Sequence, residues 1–429
     1  MDVMNVYEAA QERLRFIFDH FDNICVSFSG GKDSGVLLNL TLDYAEKTER
    51  LTDISVMHID YEAQYQMTTD YVEEVKHSLP AGVKFYHICM PIKAQCSTSM
   101  FQDHWKPWSV AERDIWTREL PKDSVNIDNH QFDFWNGNMW DYAFQDKFGV
   151  WLHKQRNAKR TACLVGIRTQ ESLNRWRAIH SDRNYRTFMG RQYSRQMASD
   201  VFNFYPIYDW ITEDIWTANA KFGYSYNKLY DLYYQAGVPL DAMRVASPFN
   251  DAAQDSLKLY RVIEPHTWGK LVSRVNGVNF TGIYGGTTAM GWKSITLPKG
   301  HTWKSYCEFL LSTLPTDVRA RYHAKLDTSI KFWKERGGVL GSDTVDKLKK
   351  RNINITVGNK TNYKTDKLPV RMDYLDDIDI SEFREIPTYK RMCICIMKND
   401  HFCKYMGFSQ TKYEMEKRKN AIKKYKEIL

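Results

Sequence analysis

The chain has 429 residues, 43% of them apolar and 26% charged, with a net charge of +8, enough to bury the cores of two or three packed units. No run of roughly eighteen uncharged apolar residues occurs, which argues against a membrane span, and the opening MDVMNVYEAAQERLRF lacks a basic-then-apolar leader. Eight cysteines, mostly in apolar runs, suit reduced thiols in a cytoplasm.

In chain order, Val6–Phe21 has helical periodicity, with Leu14, Ile17, Phe18 and Phe21 on one side. Ile24–Phe28 reads as a short apolar strand and Gly35–Lys47 as the helix after it. Ile54–Ile59 is a second strand, Thr68–Ser78 a helix and Val83–Met90 a third strand. That alternation predicts a parallel sheet with right-handed crossovers. Residues 91–159, with Trp105, Trp108, Trp116, Trp135, Trp140 and Trp151, interrupt it as an irregular or helical insertion. Its tryptophans serve either core packing or base stacking.

Thr161–Ile167 and Val201–Ile207 resume as strands. Between them lies an arginine-rich stretch with Arg177, Arg183, Arg186, Arg191 and Arg195, either a solvated loop or a track for RNA or DNA. Thr212–Phe222 reads as a helix capped by Thr212, and Asn227–Ala236 as another. Beyond Pro248 the sheet pattern is gone; Asp251–Val262, Thr302–Leu311 and Val318–Glu335 look helical. Lys347–Lys367 is polar and basic, a linker or loop, and Ser409–Leu429 a terminal helix. From Thr344 to the end there are twenty Lys and Arg against twelve Asp and Glu, so the tail is either a solvated basic surface or one for nucleic acid or an acidic partner.

The chemistry concentrates in Ser29-Gly30-Gly31-Lys32-Asp33-Ser34, directly after Ser27 and Phe28. Gly30 and Gly31 are expected to turn with positive φ and let an anion come close. The helix that follows offers unpaired N–H groups and a favourable dipole. Lys32 adds a point charge, Ser29 and Ser34 add hydroxyls, and Asp33 can hold magnesium. The spacing is not that of a Walker A loop, because no glycine stands five residues before a Gly-Lys pair.

SFSGGKDS resembles the pyrophosphate loop of the PP-loop superfamily, the adenine nucleotide alpha-hydrolase-like proteins. Ser55–Asp60, the Gly166–Arg175 stretch and the run from Tyr205 to Asp231 narrow the likeness to the phosphoadenosine phosphosulfate reductase group. It implies an α/β/α Rossmann-like nucleotide-binding domain over about residues 1–240. It also implies ATP or a related adenine nucleotide with magnesium, cleaved at the α-phosphate in adenylyl transfer or pyrophosphate release. Ser27, Ser29, Gly30, Gly31, Lys32, Asp33, Ser34, Asp60, Gly166, Arg168, Glu171, Ser172 and Arg175 are the expected binding residues, with Lys32, Asp33 and Arg168 catalytic. Physically, Asp60 at a strand end can reach a ribose hydroxyl. Arg168 and Arg175 can clamp phosphate or sulfate oxygens, and Glu171 can orient Arg168.

None of the eight cysteines stands in the reductase's Glu-Cys-Gly-x-His context, and no C-x-x-C occurs, so sulfonucleotide reduction lacks its nucleophile. Segments from Leu259 to Gln410 resemble the DUF3440 branch, which includes proteins called immunoglobulin-binding regulator A. That likeness implies a mainly helical C-terminal domain over residues 241–429. It also implies a regulatory alternative without turnover, with a ParB-like or sulfiredoxin-like protein partner. Finally, Cys393, Cys395 and Cys403, with His401, either hold zinc or pack as free thiols.

Overall fold

Strand periodicity sets the architecture. In the computed structural model, which describes residues 4–171, 175–176, 179, 186–251, 257–284, 295–358 and 366–408, seven strands form one sheet. They are Asn23–Ser27 (β1), Ile54–Ile59 (β2), Lys84–Cys89 (β3), Val125–Asn126 (β4), Thr161–Val165 (β5), Ser194–Ala198 (β6) and Val201–Phe204 (β7). Their order is β4-β3-β2-β1-β5-β7-β6, parallel throughout except for the antiparallel β6 edge. The chain builds outward from β1 through β2 and β3 to β4, then returns to the other side of β1 as β5. β1 and β5 therefore flank the point where strand order reverses, and in open α/β sheets ligands bind at the carboxyl ends of the strands there.

Both faces of the sheet are covered, so its central strands are apolar on both sides. Ile24, Val26, Ala162 and Leu164 point into one core with helices Val6–His20 (α1), Lys32–Lys47 (α2), Gln66–Ser78 (α3) and Thr212–Phe222. Cys25 and Cys163, one step out of phase, point into the other, against Phe144, Phe148 and Leu152 of helix Asp141–Gln155 (α4). Helix Thr212–Phe222 (α5) begins one residue earlier than a Thr212 cap would make it. Its cap is Ile211, whose N–H is taken by the Asp214 carboxylate at 2.8 Å. The Thr212 hydroxyl instead meets Arg168 Nη2 and Gln170 Oε1, at 3.4 and 3.3 Å. Helices Leu229–Gln235 (α6) and Pro265–Arg274 (α7) complete this part.

The described residues divide into two compact units. One gathers Met1–Ala94, Trp105–Pro248 and Leu259–Arg274; the other gathers Gln95–His104, Phe249–Lys258 and Val275–Leu429. In the second unit Trp303–Ser312 (α8), Thr316–Lys331 (α9) and Tyr389–Met397 (α11) share an apolar core, and Ser342–Lys350 (α10) packs on a small sheet. α8 starts on Thr302, whose side chain accepts from Ser305 N–H, while Asp376 takes the N–H groups of Trp303 and Lys304 at 2.9 and 2.8 Å. The polar stretch 347–367, expected as a linker, instead carries the end of α10 and strand Ile355–Val357 (β9). β9 and Gly338–Leu340 (β8) flank the central strand Leu368–Met372 (β10), all antiparallel. Residues 359–365 and 409–429 lie outside the described residues. Among the described residues no helix is long and apolar enough to cross a membrane.

Candidate nucleotide site

β1 ends at half-buried Ser27, paired with Val165 on one side and Met57 on the other. The chain leaves the sheet through Ser29, Gly30 and Gly31. Gly30 has φ +75°, and a Cβ there would meet Val72 and Thr68 of α3 at 3.1 and 3.2 Å, so both the turn and the close packing need glycine. Gly31 does not share the positive φ expected for it. It is the extended N-cap of α2, at φ −94°. α2 starts at Lys32, three residues before the sequence periodicity suggests, and runs for sixteen residues.

The two serines brace the turn. Ser34 Oγ accepts from Ser29 N–H at 3.1 Å and donates to the Gly31 carbonyl at 3.1 Å, and the two hydroxyls lie 3.0 Å apart. Of the amides that open α2, that of Lys32 donates to the Tyr230 hydroxyl of α6 at 3.1 Å. The loop after β5 closes the other wall. A Cβ on Gly166 would come within 3.2 Å of the Asp33 carbonyl carbon and the Ser34 nitrogen, so Gly166 lets two backbones touch at the switch point.

Lys32 is buried. Its ammonium donates to Asp33 Oδ2 at 3.1 Å and to the Met243 carbonyl at 3.3 Å. Burial pushes it below its ordinary range; Asp33 opposes that, and Arg168 and Arg244 add to it. The other Asp33 oxygen is bound by Arg168 Nε. With both oxygens committed to cations, Asp33 does not fit the magnesium expected of it.

Arg168 differs from expectation for the same reason. It is 2% exposed and its donors are spent inside the protein: Nη1 on Gln170 Oε1 at 2.9 Å and the Trp210 carbonyl at 3.4 Å, Nη2 on Thr212 Oγ1 at 3.4 Å and near Glu171 at 3.5 Å. It ties the β5 loop, the start of α5 and Asp33 together, so it positions the site rather than clamping an anion. Glu171 also pairs with Arg175. Ser172 lies outside the described residues.

Asp60 is likewise turned inward. It is 1% exposed; Oδ1 accepts from Glu62 N–H at 2.8 Å, and Oδ2 pairs with His87 at 2.8 Å and with Arg118. Burial would raise this carboxyl, but Arg118 and His87 outweigh it and hold it well below the usual carboxylate range. A ribose hydroxyl has no free oxygen to meet. Beside it stands a residue the sequence did not flag. Glu62, fully buried at φ +63°, receives Arg274 Nε at 2.8 Å and Nη2 at 3.1 Å, and the N–H groups of Trp108 and Thr117 at 2.8 and 2.9 Å.

The zinc constellation does not form. On α11, Cys393 Sγ donates to the Trp303 carbonyl and Cys395 Sγ to Asp400, each at 3.6 Å, while His401 bonds the Ser99 carbonyl at 2.8 Å. Residues two apart on a helix point in different directions, which separates the two thiols. Among the described residues, the potential ligand atoms that converge within 4.8 Å belong to His58, Asp60 and His87. There Arg118 already neutralises the carboxylate.

A glycine turn that opens a long helix at the switch point of a parallel sheet, with a lysine on the first helical turn, defines a PP-loop α/β protein. Residues 23–236 match the phosphoadenosine phosphosulfate reductase domain and residues 237–417 match DUF3440, a domain of unknown function. The chain is 32% identical over 422 residues to the uncharacterized protein YbdN of Escherichia coli (strain K12), across 97% of this chain and 94% of that protein. It belongs to that family: PP-loop proteins with a phosphoadenosine phosphosulfate reductase domain followed by a DUF3440 domain. Among solved structures it is similar to phosphoadenylyl-sulfate reductase from Candida auris, at 17% identity, 56% of this chain, 87% of that one and TM-score 0.31. It is also similar to FMN adenylyltransferase from Candida glabrata (16%, 52%, 58% and 0.29) and to the U34-tRNA thiolase NcsA from Methanococcus maripaludis (10%, 64%, 78% and 0.29).

Proposed function

We propose that this protein binds ATP or a related adenine nucleotide on the Ser29–Ser34 loop and transfers the adenylyl group to an acceptor. An acceptor oxygen forms the new bond to the α-phosphorus, the bond from that phosphorus to the bridging oxygen breaks, and pyrophosphate leaves with the electron pair. The observation that supports this most directly is the Gly30 turn delivering Lys32 and the N-terminus of a sixteen-residue helix to one point. Helix amides and an ammonium in a buried setting stabilise charge developing on a leaving pyrophosphate.

The acceptor brings its own nucleophile. All eight cysteines are free and buried, and burial or thiol–thiol contact pushes Cys25, Cys89, Cys96, Cys393 and Cys395 away from the thiolate form. Those five thiols are therefore poor nucleophiles for sulfonucleotide reduction. Free thiols also suit a cytoplasmic location.

A pyrophosphate-release assay on wild type and Lys32→Ala tests the reading. Loss of one such charge-stabilising donor is expected to slow release by about 100-fold or more. Nucleotide binding with no pyrophosphate from any acceptor would instead favour a regulator that uses the nucleotide as a ligand.

A further inference from the structure

The net charge of +8 is concentrated in one segment. Residues 331–372 hold eleven Lys and Arg against four Asp and Glu, so this stretch alone carries nearly all of the excess. It runs from the end of α9 through β8, α10, β9 and β10. Val345 and Leu348 of α10 share a core with Val370 and Met372 of β10, which leaves the rest of α10 facing out. Its last turn and the residue after it expose Lys349, Lys350 and Arg351, and Asn352 follows, exposed as well. Other cations of this unit are spent on acids: Lys347 on Glu382 and Lys390 on Asp377, each at 2.7 Å, and Lys367 on Glu385 at 2.8 Å. Among the described residues, Lys349, Lys350 and Arg351 have no such partner. Lys350 and Arg351 line a cleft of about 430 Å³ with Lys347, Asp379, Ile380 and Ser381. Asp379 is the acid of that lining, set against three cations. Cations in the last turn of a helix complement its dipole. That accounts in part for Lys349 and Lys350, but not for Arg351 beyond the helix or for the charge of the whole segment.

We infer that this end of α10 is a docking surface for a nucleic-acid duplex, held through its phosphate backbone. Charge complementarity supports the partner. Adjacent, unpaired cations meet a row of phosphates and release the counterions condensed there, and a short amide such as Asn352 bonds phosphate oxygens as well. The lack of apolar surface points the same way. Among the described residues of this segment no large apolar side chain is exposed. The surface therefore has nothing to insert into a lipid bilayer or to fill a protein groove, and no exposed aromatic on which the bases of a single strand could stack. Contacts of this kind position a duplex without reading its sequence. The inference stands apart from the nucleotide reading, because it uses no residue of the first unit.

Fluorescence anisotropy on the full chain, without added nucleotide, tests it. Labelled duplex DNA, duplex RNA and single-stranded DNA of equal length are titrated over a series of salt concentrations. Wild type is expected to bind a duplex more tightly than the single strand, and the tighter of the two duplexes tells DNA from RNA. The combined variant Lys349→Gln, Lys350→Gln, Arg351→Gln should weaken duplex binding by about 10-fold or more. It should also lower the slope of log K against log salt by about 3, roughly one for each cation lost. Exchanging the same residues within their charge, Lys349→Arg, Lys350→Arg and Arg351→Lys, should keep both. If the combined Gln variant melts early, Lys349→Gln alone decides, with a slope lower by about 1. Affinity and slope unchanged in the Gln variants, no binding to either duplex at about 50 mM salt, or equal binding of single strand or polyglutamate would overturn the inference.

Discussion

Two clusters of buried charge sit at the carboxyl edge of the same sheet, and they are built differently. Beyond β2, Asp60 and Glu62 face Arg118 and Arg274, with His87 on Asp60 and Glu112 on Arg274, and every oxygen of the two buried carboxylates is engaged. Beyond β1 and β5, Lys32, Arg168, Arg175 and Arg244 outnumber the carboxylates of Asp33 and Glu171, and Arg175 reaches the surface. A network whose buried carboxylates are all engaged by the protein needs nothing from outside. A cluster with surplus positive charge is costly until an anion enters. The first holds the insertion on the sheet; the second carries the charge that the proposed nucleotide would complement.

The contrast can be broken at either end. The largest expected effect on stability is in the sealed cluster. Glu62→Ala leaves Arg274 buried without its partner and should lower the unfolding free energy by about 3–5 kcal/mol in a denaturant titration. Should the loss stay within about 0.5 kcal/mol, the range of an ordinary surface change, the network is not structural. Gly166→Ala acts on the open cluster by forcing a Cβ onto the Asp33 backbone. About 1–3 kcal/mol of strain is expected, along with weaker nucleotide binding. Unchanged affinity and melting temperature would mean that the two backbones part at little cost.

The effect that is smallest at neutral pH, and is felt only in acid, is a pH dependence. Burial pushes His58 down to about 4, and the neighbouring His87 adds to this. A folded-state value below the ordinary His value of about 6.5 means that the unfolded chain takes up the proton first. His58 therefore costs no stability above that value, and stability falls as the pH drops from about 6.5 toward 4, by up to ~3 kcal/mol. Asp60, held low by Arg118, loses its own contribution only at still lower pH. Equilibrium unfolding of wild type against His58→Asn over this range should give a steeper slope for the wild type; parallel curves would place the proton elsewhere.

Much of the first unit can be read from local pattern. Buried parallel strands are apolar runs, so Ile54–Ile59 has the same bounds in sequence and structure, and the other central strands shift by only a few residues. The Ser29–Ser34 turn is legible because glycines, lysine and hydroxyls between a strand and a helix have few other uses. The start of α2 was hidden because Lys32, Asp33 and Ser34 carry no apolar periodicity. Asp60 shows the limit more clearly: an acid at a strand end looks the same whether it faces a ribose or an arginine 58 residues on. Glu62 and Arg274, 212 residues apart, and Glu171 and Arg244, 73 apart, meet only through the fold, and nothing near either arginine announces its partner. The strands of the second unit's sheet, three to five residues long, are too short for alternation to stand out.

The claim on which the rest depends is that the Gly30–Ser34 turn grips a nucleotide's polyphosphate. Calorimetric titration of the full chain with ATP, wild type against Lys32→Ala, addresses it directly. The expected result is saturable one-site binding to the wild type that weakens at least ~10-fold when the ammonium is removed. No heat of binding at about millimolar ATP, or equal affinity in the two proteins, would contradict it.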